Sequence, residues 1–110
     1  MTENTRRVVV TGLGLVSPVG STVNKAWDNI KNGVSGIRKI SSFDASSFSV
    51  QIAGSVVDFN AEEYITPKDQ KKMDTFIHYG IGASAMAIKD AGLEINDENR
   101  DRIGISIGSG

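Results

Sequence analysis

Three lysines, Lys68, Lys71 and Lys72, stand at i, i+3 and i+4, with Thr75 at i+7. On a helix this spacing puts three ammonium groups on one face. Asp69 falls among them in sequence and is expected to point elsewhere. Such a face attracts an acidic helix or a phosphate group in a salt-sensitive way; with no partner it is plain solvated surface. The single histidine, His78, lies four residues after Asp74. An imidazole oriented by an aspartate can act as a general base, but no nucleophile accompanies it. A packed or partly exposed helix histidine is the simpler expectation. Gly12-Leu13-Gly14-Leu15-Val16-Ser17 invites a dinucleotide reading. However, Ser17 replaces the third glycine and Pro18 follows where the helix should run. That stretch reads instead as a tight, buried turn. Gly80-Ile81-Gly82-Ala83-Ser84-Ala85 has a related pattern in mid-helix, where close packing explains it.

The elements that position these residues follow from hydrophobic patterning. Arg7-Val8-Val9-Val10-Thr11 and Ile103–Ile107 are short apolar runs bounded by glycine, the pattern of strands buried on both faces of a parallel sheet. Val23, Ala26, Trp27 and Ile30 form one helical stripe. A helix over about 22–32 is expected, capped by Ser21 or Thr22, stopped at Gly33 and packed on the sheet through Trp27. Residues 34–60 read as a loop-rich excursion with one or two short strands, the clearest over Val50–Val57. Asn60 caps a helical turn over Ala61–Ile65. Thr66 and Pro67 open a short helix that carries the lysines to Met73. Asp74–Ala91 is the strongest helix. Its apolar and small residues fall on nearly every side, so it is expected to be buried all round, with Gly92 ending it. The order β–α–insert–α–β suggests an α/β architecture with a mainly parallel sheet.

Composition narrows the function classes. Twelve basic against thirteen acidic residues give a net charge of −1, so no global field draws nucleic acid or membrane. There is no cysteine, which excludes a disulfide framework, a thiolate metal site and a thiol nucleophile in these residues. No apolar run approaches the ~18 residues of a membrane span. The polar start over residues 1–6 reads as a disordered tail rather than a secretory leader. The cytoplasm is the default location, and no cofactor or metal site is assigned. A buried helix and two buried strands need covering layers that 110 residues scarcely provide, so the stop within Gly108-Ser109-Gly110 reads as a truncation.

Four ordered stretches carry a resemblance: Arg7 to Gly20; Gly36-Ile37 with Phe43-Asp44; Lys71-Lys72-Met73-Asp74; and Arg102 to Gly110. Together they resemble the β-ketoacyl-acyl-carrier-protein synthase family, most of all its type II elongating members. The resemblance implies a thiolase-like fold of two similar halves. Residues 1–110 would be the N-terminal portion of the first half, with 34–73 as an insertion and the apolar helix sandwiched between sheets. It implies a decarboxylative Claisen condensation of an acyl thioester with malonyl-acyl carrier protein. The catalytic cysteine and two histidines of that reaction would lie beyond Gly110, so no catalytic residue is carried over; His78 matches neither histidine. It also implies that Lys68, Lys71 and Lys72 dock the acidic helix of acyl carrier protein, although arginine is common in the family where Lys71 stands, and that the whole enzyme is a homodimer. Two other readings stay open: a cysteine-less relative of the chain-length-factor type, which pairs with a true synthase, and a polyketide ketosynthase.

Overall fold

A computed structural model describes residues 4–110. Half of the tail expected over residues 1–6 therefore lies outside the described residues. The elements in chain order are helix α1 (Val23–Lys31), strands β1 (Ile37–Lys39) and β2 (Ile52–Gly54), helix α2 (Pro67–Gln70) and helix α3 (Thr75–Ala91). Two short 3₁₀ turns, Ala61–Glu63 and Arg100–Arg102, complete the set.

Helix α1 forms where its stripe and caps predict. The Thr22 side chain accepts from the Lys25 amide. At the other end Gly33 takes φ 67°, which lets Val34 N–H reach the Asn29 carbonyl and Gly33 N–H reach that of Ile30. Helix α3 closes with the same pair of bonds around Gly92, from Leu93 to Ile88 and from Gly92 to Lys89. Trp27, however, does not pack on a sheet. It is 58% exposed, and the stripe buries only Ala26, against the loop at Gly20.

The sheet differs from expectation. The excursion supplies both strands of a two-stranded antiparallel ribbon, with Ile37 opposite Gly54, Arg38 opposite Ala53 and Lys39 opposite Ile52. Gly36 and Gly54 lie against Pro18, and the Arg38 guanidinium donates to the Pro18 carbonyl at 3.0 Å, which seats the ribbon on the Ser17–Gly20 turn. The two β-branched runs are not strands, and no parallel pairing occurs among the described residues. Val8 is 93% and Ile105 72% exposed. A strand is a relation between chains about 4.8 Å apart. These runs carry the residue types for pairing, yet no described residue offers them a ladder.

Helix α3 organises what core there is, although it is half-buried rather than buried all round. It presents three contact faces. On the first, Gly12 and Gly14 pass directly over Ala83, Ala87 and Ala91, and Leu13 N–H donates to Asp90 Oδ2 at 2.9 Å. This passage is extended and half-buried, not the tight turn expected; the chain turns only at Ser17–Gly20. On the second, Phe59 touches Gly82, stacks on Tyr64 (5.7 Å between centroids) and meets Tyr79 edge-on (5.3 Å). On the third, Ile105 and Ile107 stand off from Phe76, Ile77, Ile81 and Ile88 across an open apolar cavity of about 650 Å³. A helix with small or apolar residues on every side is what three separate faces require.

Candidate functional site

The lysine-bearing segment hangs from the N-terminus of α3. Thr66 starts it. Its hydroxyl accepts from Asp69 N–H at 3.3 Å and donates to Asp69 Oδ2 at 2.8 Å, a reciprocal cap closed by Pro67 at the first helical position. Helix α2 lasts only four residues. Lys71 keeps helical dihedrals, but Lys72 N–H reaches back to Asp69 and Met73 N–H to Gln70, the i→i−3 bonds of a tightening turn. Asp74 is then extended (ψ 159°) as the N-cap of α3. Thr75 therefore begins a different helix, and the i+7 position of the expected stripe is lost. Lys68, Lys71 and Lys72 are all solvent-exposed within this one turn.

The segment is held from behind. Ile65 is buried, its carbonyl accepts from the Gln70 side-chain amide at 2.9 Å, and the Gln70 carbonyl lies 3.2 Å from His78 Nε2 on α3. His78 thus brackets the lysine turn to the helix. Its ring is paired with a backbone carbonyl rather than with the Asp74 side chain, in keeping with a structural role.

Charge is unevenly distributed over the three lysines. Lys72 Nζ lies 3.5 Å from Asp69 Oδ1, whereas Lys68 and Lys71 form no ion pair among the described residues. Asp69 is therefore not turned away, as the sequence suggested. It stands three residues from both Thr66 and Lys72, and that double spacing was the signal available for finding the contact.

A second polar cluster was not anticipated. Ser21, 6% exposed, donates to Asp58 Oδ1 at 2.6 Å, and Lys25 Nζ lies 2.7 Å from Asp58 Oδ2. The Lys25 ammonium, and then the Ser21 hydroxyl, hold the Asp58 carboxyl below its ordinary value of 3.8. Nothing nucleophilic or acid–base follows from this arrangement. It ties the start of α1 to the loop that carries Phe59 onto α3. Among the described residues there is no group of three or more His, Cys, Asp or Glu suited to a metal ion, and no helix is long and apolar enough to cross a membrane.

A glycine-bearing loop and an apolar segment lie on separate faces of a small-residue helix, and it is the likeness to a ketosynthase that places this arrangement in the thiolase-like α/β class. A solved structure described as "The ishigamide ketosynthase/chain length factor" superposes on 81% of this chain and 22% of its own, with a TM-score of 0.73 and 36% sequence identity. The family model described as "Beta-ketoacyl synthase, N-terminal domain" matches residues 5–110. The chain belongs to the beta-ketoacyl synthase family. Among curated relatives, the "3-oxoacyl-[acyl-carrier-protein] synthase 2" of Vibrio harveyi is 54% identical over 96% of this chain and 25% of its own length. The protein of the same name from Staphylococcus aureus (strain N315) is 47% identical over the whole of this chain and 26% of its own. The chain thus spans about a quarter of the length of these relatives.

Proposed function

We propose that these residues serve as the N-terminal part of a 3-oxoacyl-[acyl-carrier-protein] synthase of fatty-acid elongation. That enzyme is an acyltransferase working in the cytoplasm as a homodimer. In its reaction an acyl group is carried as a thioester on an enzyme thiol. Malonyl-acyl carrier protein loses carbon dioxide, and the resulting carbanion attacks that thioester, forming the carbon–carbon bond as the carbon–sulfur bond breaks and the enzyme thiolate leaves. These 110 residues contain no thiol, and their one histidine is engaged with the Gln70 carbonyl. Their contribution is the scaffold around α3 and, on its surface, a docking face for acyl carrier protein made by Lys68, Lys71 and Lys72.

The observation that carries the docking assignment is the exposed lysine turn braced against α3, in a chain about half identical to synthases whose names specify the carrier protein. Three cations on a fixed backbone suit an acidic helix, and as rim charges each contributes about 0.2–1 kcal/mol. In the complete synthase, K68E/K71E/K72E is expected to weaken binding of holo-acyl carrier protein at low ionic strength, with the difference fading as salt rises. Unchanged affinity of the triple variant at low salt refutes the docking assignment.

The likeness to a ketosynthase/chain-length-factor structure supports a second reading, a non-condensing partner of a true synthase or a polyketide ketosynthase. The residue at the nucleophile position of the complete protein discriminates. A cysteine labelled by a thiol-directed acyl substrate supports a condensing enzyme, with the acyl substrates accepted then separating fatty-acid from polyketide synthase; any other residue there supports the partner role.

A further inference from the structure

We infer that Asp69 is an internal competitor for the carrier protein's carboxylates: it occupies Lys72 and leaves Lys68 and Lys71 as the pair that engages the partner. This rests on the docking reading above.

Most surface ion pairs are loose because both side chains are free to wander. Here the Asp69 side of the pair is held by the turn, while the Lys72 side chain stays exposed. The Lys72 amide donates to the Asp69 carbonyl at 3.0 Å, which fixes the two residues side by side. The Asp69 carboxylate is then held from the other side by the Thr66 hydroxyl on Oδ2 at 2.8 Å, leaving Oδ1 facing Lys72 Nζ at 3.5 Å. An anion approaching Lys72 meets a negative charge already in place. It must share the ammonium with Asp69 or displace it, and either way gains less than at Lys68 or Lys71, which have no carboxylate within ion-pair distance among the described residues.

Asp69→Asn removes the charge while its amide oxygen can still accept from Thr66. In the complete synthase, D69N is expected to tighten holo-acyl carrier protein binding about two- to five-fold at low salt, the range of one exposed charge pair. Lys72→Ala should cost less than about two-fold in the parent and two- to five-fold on the D69N background. That non-additivity is the signature of the competition, and both effects should vanish towards ~1 M salt, where screening acts over about 3 Å. Asp74→Asn is the control. It changes net charge by the same amount, keeps a good N-cap for α3, and removes a carboxylate that pairs with no lysine among the described residues.

Parental affinity in D69N together with weakened K71E overturns the competition and leaves the docking reading standing. An equal gain from D69N and D74N also overturns it, because only long-range charge would then be at work. Parental affinity in K71E removes the docking reading and this inference with it. Melting curves of D69N and D69N/K72A show whether either variant disturbs the fold, and a folding defect alone does not yield a salt-dependent gain in affinity.

Discussion

Gly14→Ala tests the contact on which the fold around α3 depends. An extended chain advances about 6.7 Å over two residues and an α-helix about 6 Å over four. Gly12 and Gly14 therefore fall in step with Ala91, Ala87 and Ala83. A Cβ at Gly14 would lie 2.8 Å from Ala87 N and 2.9 Å from Ala83 C, and would overlap the Ala83 carbonyl oxygen. Ordinary contact begins near 3.4 Å, and the overlap with the Ala83 oxygen means the segment would have to retreat by more than about an ångström. The atoms in the way are helix backbone and cannot rotate aside. Retreat also stretches the Leu13 N–H bond to Asp90, 2.9 Å in the parent. Overpacking of this kind costs about 1–3 kcal/mol, and the stiffer unfolded chain returns about 0.4–1 kcal/mol. The net loss should be about 2 kcal/mol or more. It is read as a lower denaturant midpoint of the complete synthase at unchanged slope, together with faster hydrogen exchange at the Leu13 amide. Gly33→Ala is a useful contrast: φ is 67° there and nothing lies within 4 Å of a new Cβ, so the cost is backbone strain alone, about 1–2 kcal/mol, with Leu13 exchange unaffected. A Gly14→Ala protein with the parental midpoint and parental Leu13 exchange would show that the loop does not bear on the helix as described.

Two further outcomes follow from the same geometry. Asp58 is held below 3.8 by Lys25 and Ser21, so its ionised form favours the fold at neutral pH and that advantage disappears as pH falls through the lowered folded-state value. Asp58→Asn should therefore be less stable than the parent at pH 7, with the two stabilities converging below about pH 3.8; a gap that persists in acid denies the charge its role. By itself, the 110-residue chain should bind a hydrophobic dye and melt without a sharp transition. Its radius of gyration is 18.1 Å, against about 13 Å for a compact domain of about 100 residues, and Val8, Val10, Phe43, Phe48 and Ile105 are among its exposed apolar side chains. A soluble monomer with a steep cooperative melt would contradict this.

Local signals were readable and relational ones were not. Thr22, Gly33, Asn60, Thr66, Pro67 and Gly92 each act on neighbours within a few residues, and the caps and stops they imply are present. The β-branched runs at 7–11 and 103–107 promised strands, but whether a run becomes a strand is decided by a neighbour that its own residues do not encode. Trp27 misled in the same way: a helical stripe says which face is apolar, not what covers it. Within the lysine turn, the spacing of Lys68, Lys71 and Lys72 brought out the candidate face. The 3.6-residue period does not carry across Asp74, where the N-cap of α3 breaks it. The Gly12–Ser17 motif departs from a nucleotide loop at Ser17 and Pro18, and its contacts lie beside Ala83, Ala87 and Ala91, some seventy residues away.

Why the lysines stand on this turn follows from what α3 must do. A helix contacted on three faces leaves mainly its ends free for solvent, and Asp74 marks the N-terminal end. The chain arrives there through Ile65, which is buried, and must reverse within a few residues. Thr66, Pro67 and the i→i−3 bonds at Lys72 and Met73 accomplish that reversal, while Gln70 and His78 lock it from both sides. Lysine side chains carry large rotamer entropy, so a docking face made of them gains when their backbone is already fixed and only the side chains remain to be ordered. The histidine, expected from sequence to be a packed or partly exposed helix residue, is engaged in this bracing. If the proposed docking face needs this bracket, His78→Ala in the complete synthase is expected to weaken carrier-protein binding without touching the lysines, and parental affinity would show that the bracket does not bear on it.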